Sequence, residues 1–314
     1  MRKDARKTTA VNIANVQRYH GGDFRTQNYA FAGFKSNKYF TSDRYEQLTV
    51  DFQRLNGKPL CGFGLEIETE CSTITDETVL AEVFDKIIFP LFPADLYKMQ
   101  RDGSLGGETS VECITQVMTK LFIRNHYKDF RAMFDKYFPA LGISADAYDT
   151  NCGMHVNISN AVFGRTPEQQ REAIRKLFYI INRHYDVFRT AFRRPIGKTV
   201  WCEQMDYTEA RTMNLDDQPN DHHKCLNLSH LRAGRIEIRL PGGQSTFSDF
   251  RGTMETVFFI TERVRTLKWE DCNDLYKIFR GCNQYVFGAI NSELSANLYG
   301  RLFEAMKSEN LDDQ

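Results

Sequence analysis

The sequence predicts an α+β fold: a curved, mainly antiparallel sheet with a concave active-site face, and helices packed on its convex side. Three observations predict it. Five short stretches alternate between aliphatic and polar side chains, at the strand period. Stretches with helical apolar spacing separate them in sequence and must cover the aliphatic face. The polar faces collect Glu, His, Asn and Arg instead of the mixed Thr, Lys and Gln of a merely solvated surface.

The organising stretch is Cys61–Glu70. Phe63, Leu65 and Ile67 fall on one face, and Gly64, Glu66, Glu68 and Glu70 on the other. Carboxylates spaced roughly 7 Å apart along one strand face repel one another. Such a row reads either as an exposed acidic edge or as a holder for a hard cation such as Mg²⁺, which takes oxygen ligands.

The elements follow in order. Residues 1–58 form a basic, aromatic arm ahead of a single domain spanning 59–314, and Asn56–Pro59 is the turn between them. Asp76 caps a helix with Leu80, Val83, Phe84, Ile87 and Ile88 inward, and Pro90 and Pro93 end it. The turn-rich run Asp102–Glu108 leads to a strand at 110–115 carrying Glu112, with Asp102 and Glu108 as further carboxylate candidates. A helix is expected over 117–138. The strand 153–159 sets Met154, Val156 and Ile158 against His155, Asn157 and Ser159. Thr166-Pro-Glu-Gln169 is a capping box opening a long helix, which the basic loop Arg193–Lys198 ends. That loop suits phosphate or carboxylate, or is a solvated helix terminus with its cations near the C-terminal dipole. Residues 202–223 read as a loop. Strands at 225–229 and 235–240 form a hairpin about Ala233-Gly234, with Asn227, Glu237 and Arg239 facing the polar side. Helices close the chain at about 248–267, 271–290 and 292–307.

Composition bounds the function. The 41 basic and 41 acidic residues balance, so no global field points to a membrane surface, and nucleic acid is not expected as a partner. No apolar run approaches the roughly 18 residues of a membrane span, and the N-terminus carries no signal pattern. The expected location is the cytoplasm. The eight cysteines show no paired framework and read as reduced thiols. His222, His223 and Cys225 offer a zinc alternative that lacks a fourth ligand at regular spacing.

Gathered on one concave face, so many carboxylates repel unless cations neutralise them. Two or more Mg²⁺ ions, bound by carboxylates and by phosphate oxygens, do this in ATP sites. Arg239 beside Glu237 supplies a cation for phosphoryl transfer. No Walker motif or glycine-rich kinase loop is present.

In order and spacing, GFGLEIE (62–68), DGSL (102–105) with VECIT (111–115), CGMHVNIS (152–159), CLNLS (225–229) and RIEIRLPGG (235–243) resemble the amidoligases of the glutamine synthetase and glutamate–cysteine ligase superfamily. The resemblance covers residues 60 to about 265. It implies a sheet like that of the glutamine synthetase and guanidino kinase catalytic domains. It also implies an ATP-dependent carbon–nitrogen ligase: ATP phosphorylates a carboxylate, and an amine displaces phosphate from the acyl phosphate. Glu66, Glu68, Glu112 and Glu237, with Asp102, would hold Mg²⁺. His155 and Asn157 would face nucleotide or substrate, Arg194 would contact substrate or nucleotide, and Arg239 would stabilise the transferring phosphoryl group. Val117 stands where the family pattern often has Pro, so either Glu108 or Glu112 serves as the second-motif ligand. The substrate would be a small molecule, peptide or protein carrying a carboxylate, with an amine co-substrate. Identity of both substrates and the oligomeric state are open. Two other readings compete: a phosphotransferase of related fold, acting on a guanidino or carboxylate group, and a non-catalytic binding or assembly protein that kept the fold.

Overall fold

The computed structural model describes residues 62–92, 97–100, 109–115, 117–147, 151–198, 200–217 and 223–311. The basic arm, Cys61, Asp102, Glu108 and His222 lie outside the described residues. The chain divides into two compact units, each a mixture of helix and antiparallel strand. One comprises the residues up to Asn157 with Gly242–Phe247, the other Ile158–Pro241 with Ser248 onward.

In the first unit, β1 (Phe63–Cys71) pairs antiparallel with β3 (Ser110–Thr115), and β3 with β2 (Tyr97–Gln100). The two-residue β4 (Ile143–Ser144) pairs antiparallel with the far end of β1. The other neighbour of β1 is β5 (Met154–Ser159), whose first four residues belong to this unit. Alternation in β1 is as the sequence dictates: Phe63, Leu65 and Ile67 are buried on the aliphatic face, each such side chain worth about 1.5–3 kcal/mol. In β3 both faces are buried, so Glu112 is enclosed despite its charge.

Strand β2 has no counterpart in the sequence reading. Four residues are too few for a period to register, and Tyr97 is held by ring contacts with Phe89 and Phe92, at 5.2 and 4.9 Å between centroids. The helix expected from Val117 begins three residues later. Met118 exchanges two backbone hydrogen bonds with Phe63, 2.8 and 2.7 Å long, which prolongs the sheet edge. Thr119 then caps α2 (Lys120–Asn125), its Oγ1 accepting from Phe122 N at 3.1 Å. The remainder of that stretch is broken into α3 (Tyr127–Arg131), a π-turn (Ala132–Tyr137) and a short α4 (Phe138–Leu141), closed by Gly142 at φ 67°. The preceding helix α1 (Glu77–Val83) contributes Leu80 and Val83 to the same aromatic core, with Phe84 and Phe138 at 5.8 Å.

In the second unit, the capping box is present: Gln169 N donates to Thr166 Oγ1 at 3.3 Å, and Thr166 N to Gln169 Oε1 at 3.4 Å. It opens α5 (Pro167–Arg183), and α6 (Tyr185–Ala191) follows after a break at His184. Strands β6 (Leu226–Asn227) and β7 (Arg235–Ile238) pair antiparallel. Their connection is longer than the expected tight turn, a 3-10 turn over Leu231–Ala233 ended by Gly234 at φ 91°. Helix α7 (Phe247–Arg263) is followed by α8 (Leu275–Phe279), α9 (Gln284–Ile290) and α10 (Ala296–Leu311). The single helix expected over 271–290 is split because Gly281 takes φ 81° and Asn283 starts a new cap, accepting from Tyr285 N and Val286 N. Among the described residues no helix is long and apolar enough to cross a membrane.

Candidate active site

Antiparallel pairing brings the carboxylates of the first unit onto one face. The register sets Glu68 opposite Glu112 and Glu66 opposite Ile114, and directly opposed residues share a face. Strand β5 adds His155 and Asn157 from the neighbouring position. Glu68, Glu112 and His155 are 6, 5 and 6 % exposed, and Glu66 is half-buried at the edge of the cluster. Ile114 on this face is a departure from the all-polar plan.

Each group is oriented by another. The Asn157 amide Nδ2 donates to Glu66 Oε1 at 2.8 Å, and His155 Nδ1 lies 3.2 Å from Glu66 Oε2. The other ring nitrogen, Nε2, stands 3.6 Å from Glu68 Oε1. Glu68 Oε2 accepts the backbone N–H of Gly153. Burial and the Glu112 charge push the neighbouring Cys113 thiol up, and burial, with the charges of Cys113 and Asp129, raises the Tyr97 hydroxyl.

One ligand atom each from Glu66, Glu112 and His155 lie within 4.8 Å of one another, close enough to share one ion. Two carboxylate oxygens, with Glu68 beside them, suit a hard divalent cation; the imidazole nitrogen also suits Mn²⁺ or Zn²⁺. The donor set therefore fits the Mg²⁺ expected from the sequence. It brings His155, expected to face nucleotide, into the ligand group. Asn157 is engaged with Glu66, a second task that strand alternation alone does not reveal.

In the second unit, Asn227 and Glu237 are register partners, and Asn227 Nδ2 donates to Glu237 Oε2 at 3.0 Å. Arg239 Nη1 donates to Glu237 Oε1 at 2.6 Å, a partly buried charge-assisted bond. Arg194 is 5 % exposed and donates to three consecutive carbonyls: Arg239 O at 3.3 Å, Leu240 O at 3.2 Å and Pro241 O at 2.6 Å. Of the zinc alternative, Cys225 donates its thiol to Asn182 Oδ1 at 3.3 Å, and burial pushes its pKa upward, away from the thiolate that zinc needs. His223 stacks on Trp201 at 4.5 Å.

No family model matches the chain, and no curated protein matches it. Among solved structures, the chain is similar to a bifunctional glutathione synthetase from Pasteurella multocida at 13 % identity and a TM-score of 0.38, over 84 % of this chain and 47 % of that one. The chain thus spans about half the length of that protein. A likeness of this size assigns neither family nor activity, so the functional reading rests on the site itself.

Proposed function

We propose that this chain is an ATP-dependent carboxylate–amine ligase of the amidoligase type. The observation that carries the reading is the Glu66–Glu112–His155 cluster, in which Glu112 and His155 are buried and Glu66 half-buried, with Glu68 in the same carboxylate row. Glu66, Glu68 and Glu112 would hold Mg²⁺, with His155 as a further donor. The bound ion would neutralise phosphate charge and fix the nucleotide's orientation. Asn157 keeps the Glu66 carboxylate turned toward its ligand position. The Arg239 guanidinium, held at one nitrogen by Glu237, would meet charge developing on a transferring phosphoryl group. With a carboxylate substrate activated as an acyl phosphate, attack by an amine forms the amide and releases phosphate.

The test is ADP release by the purified protein with Mg·ATP across a panel of amino acids and peptides. The expected result is ADP formed only when a carboxylate and an amine are both supplied, with one amide per ADP. A stable phosphorylated product without amide would make the protein a phosphotransferase. No nucleotide turnover with any pair would overturn the ligase reading.

A further inference from the structure

Arg194 carries a positive charge into the interior of the second unit, and among the described residues it pairs with no carboxylate. A buried charge without a counter-charge is costly, and hydrogen bonds must offset it. Its three guanidinium bonds go to the carbonyls of residues 239, 240 and 241. There β7 has ended, after a last ladder bond from Arg239 N to Cys225 O at 2.9 Å, and Pro241 has no N–H to offer. Arg194 is itself fixed from behind: its N–H donates to Arg189 O at 3.0 Å, and Arg189 Nη1 donates to its carbonyl at 3.1 Å.

We propose that Arg194 is a positioning residue for Arg239, clamping the main chain at 239–241 so that the Arg239 guanidinium is held at its root, while Glu237, itself bonded by Asn227, holds it at its tip. This replaces the substrate or nucleotide contact expected of Arg194 from the sequence, and its kinetic arm rests on the ligase reading. Only a planar fork reaches three successive carbonyls; a lysine ammonium on a flexible stem cannot reproduce it.

The experiment is a double-mutant cycle in kcat, with Arg194→Lys and Arg239→Lys singly and together, each assayed below its melting temperature. Displacement of a reacting group by about 1 Å costs on the order of 10²-fold, so Arg194→Lys is expected to lower kcat on that scale and leave the ATP KM unchanged. In the Arg239→Lys background it should lower kcat no further, because the group it positions is already altered. Equal losses in both backgrounds, or an unchanged kcat in the folded single variant, overturn the proposal. If Arg194→Lys melts below the assay temperature, Arg189→Lys, which removes the bond to the Arg194 carbonyl, enters the same cycle with a smaller loss in the same direction expected. A readout without turnover separates this inference from the ligase reading: the Arg239 Nε–H resonance, assigned by its disappearance in Arg239→Lys. It should shift and broaden in the Arg194 variant. If the wild-type protein releases no ADP, the ligase reading falls, and an Nε–H resonance equally sharp and unmoved in both proteins overturns the positioning role on its own.

Discussion

Glu68 and Glu112 are register partners across β1 and β3, two buried carboxylates directly opposed on one face of the pair. Like charges so placed destabilise a sheet, by up to about 1 kcal/mol. Without metal, Glu112→Gln should therefore raise the melting temperature by about 1–3 °C. The stabilisation that Mg·ATP gives the wild-type protein should disappear in the same variant. Differential scanning calorimetry with and without Mg·ATP reads both. A lower melting temperature in the metal-free variant would mean that Glu112 is held by donors and not opposed by its neighbour.

Asn157 should matter for metal and hardly for folding. Asn157→Leu keeps the number and branching of the heavy atoms but removes the bond that turns Glu66. Loss of such an orienting group commonly weakens metal binding about 10–100-fold. Calorimetric titration with Mg²⁺ should show that drop with little change in melting temperature. Unchanged affinity would place Glu66 outside the metal site.

Arg239→Lys separates rate from stability. Bound to Glu237 at 2.6 Å, Arg239 either serves charge developing in the reaction or only neutralises its partner. In the first case turnover should fall by on the order of 10²–10³, with ATP affinity retained. In the second the protein would melt early and, while folded, turn over normally.

The buried thiols and phenols set an alkaline limit. Burial raises the pKa of Cys113, Cys202 and Cys225, takes Cys272 up to about 11, and raises Tyr97 and Tyr185 as well. The folded state holds these protons while the unfolded chain releases them near its ordinary values, about 8.5 for Cys and 10 for Tyr. Stability is thus fully present below those values and is lost as pH rises toward the folded ones. Denaturation midpoints measured from pH 7 to 11 should fall steadily above about 8.5. Iodoacetamide on the native protein should label Cys71, the half-buried thiol, ahead of the other described cysteines.

Which parts of this were legible in the sequence follows from the range of the forces involved. Alternation sets Glu66 with Glu68 in one strand and His155 with Asn157 in another, a property of three or four consecutive residues. The Glu68–Glu112 pairing was not legible, because the cross-strand register depends on contacts between segments some distance apart in sequence, and the sequence leaves Glu108 and Glu112 both open. Helix boundaries were less legible: Val117 looks helical until Met118 finds Phe63, 55 residues away in sequence, and Gly281 breaks a stretch whose apolar period continues on both sides. Arg194 gave the least local signal. Its partners lie 45 to 47 residues further on, and all are main-chain carbonyls, which any sequence would supply. For the same reason Gly153 could not be read as the donor to Glu68.

That last bond has a consequence for inherited variation. One donor to Glu68 is the peptide N–H of Gly153, which every amino acid except proline also carries. Alanine scanning would therefore pass over it, since no ordinary codon change at position 153 deletes the donor. The side-chain anchors of Glu66, by contrast, can each be erased by a single replacement at Asn157 or His155. Two neighbouring carboxylates thus differ in genetic exposure: single replacements at Asn157 and His155 erase the side-chain bonds to Glu66, whereas replacing His155 costs Glu68 its 3.6 Å neighbour and leaves the main-chain donor of Gly153 in place.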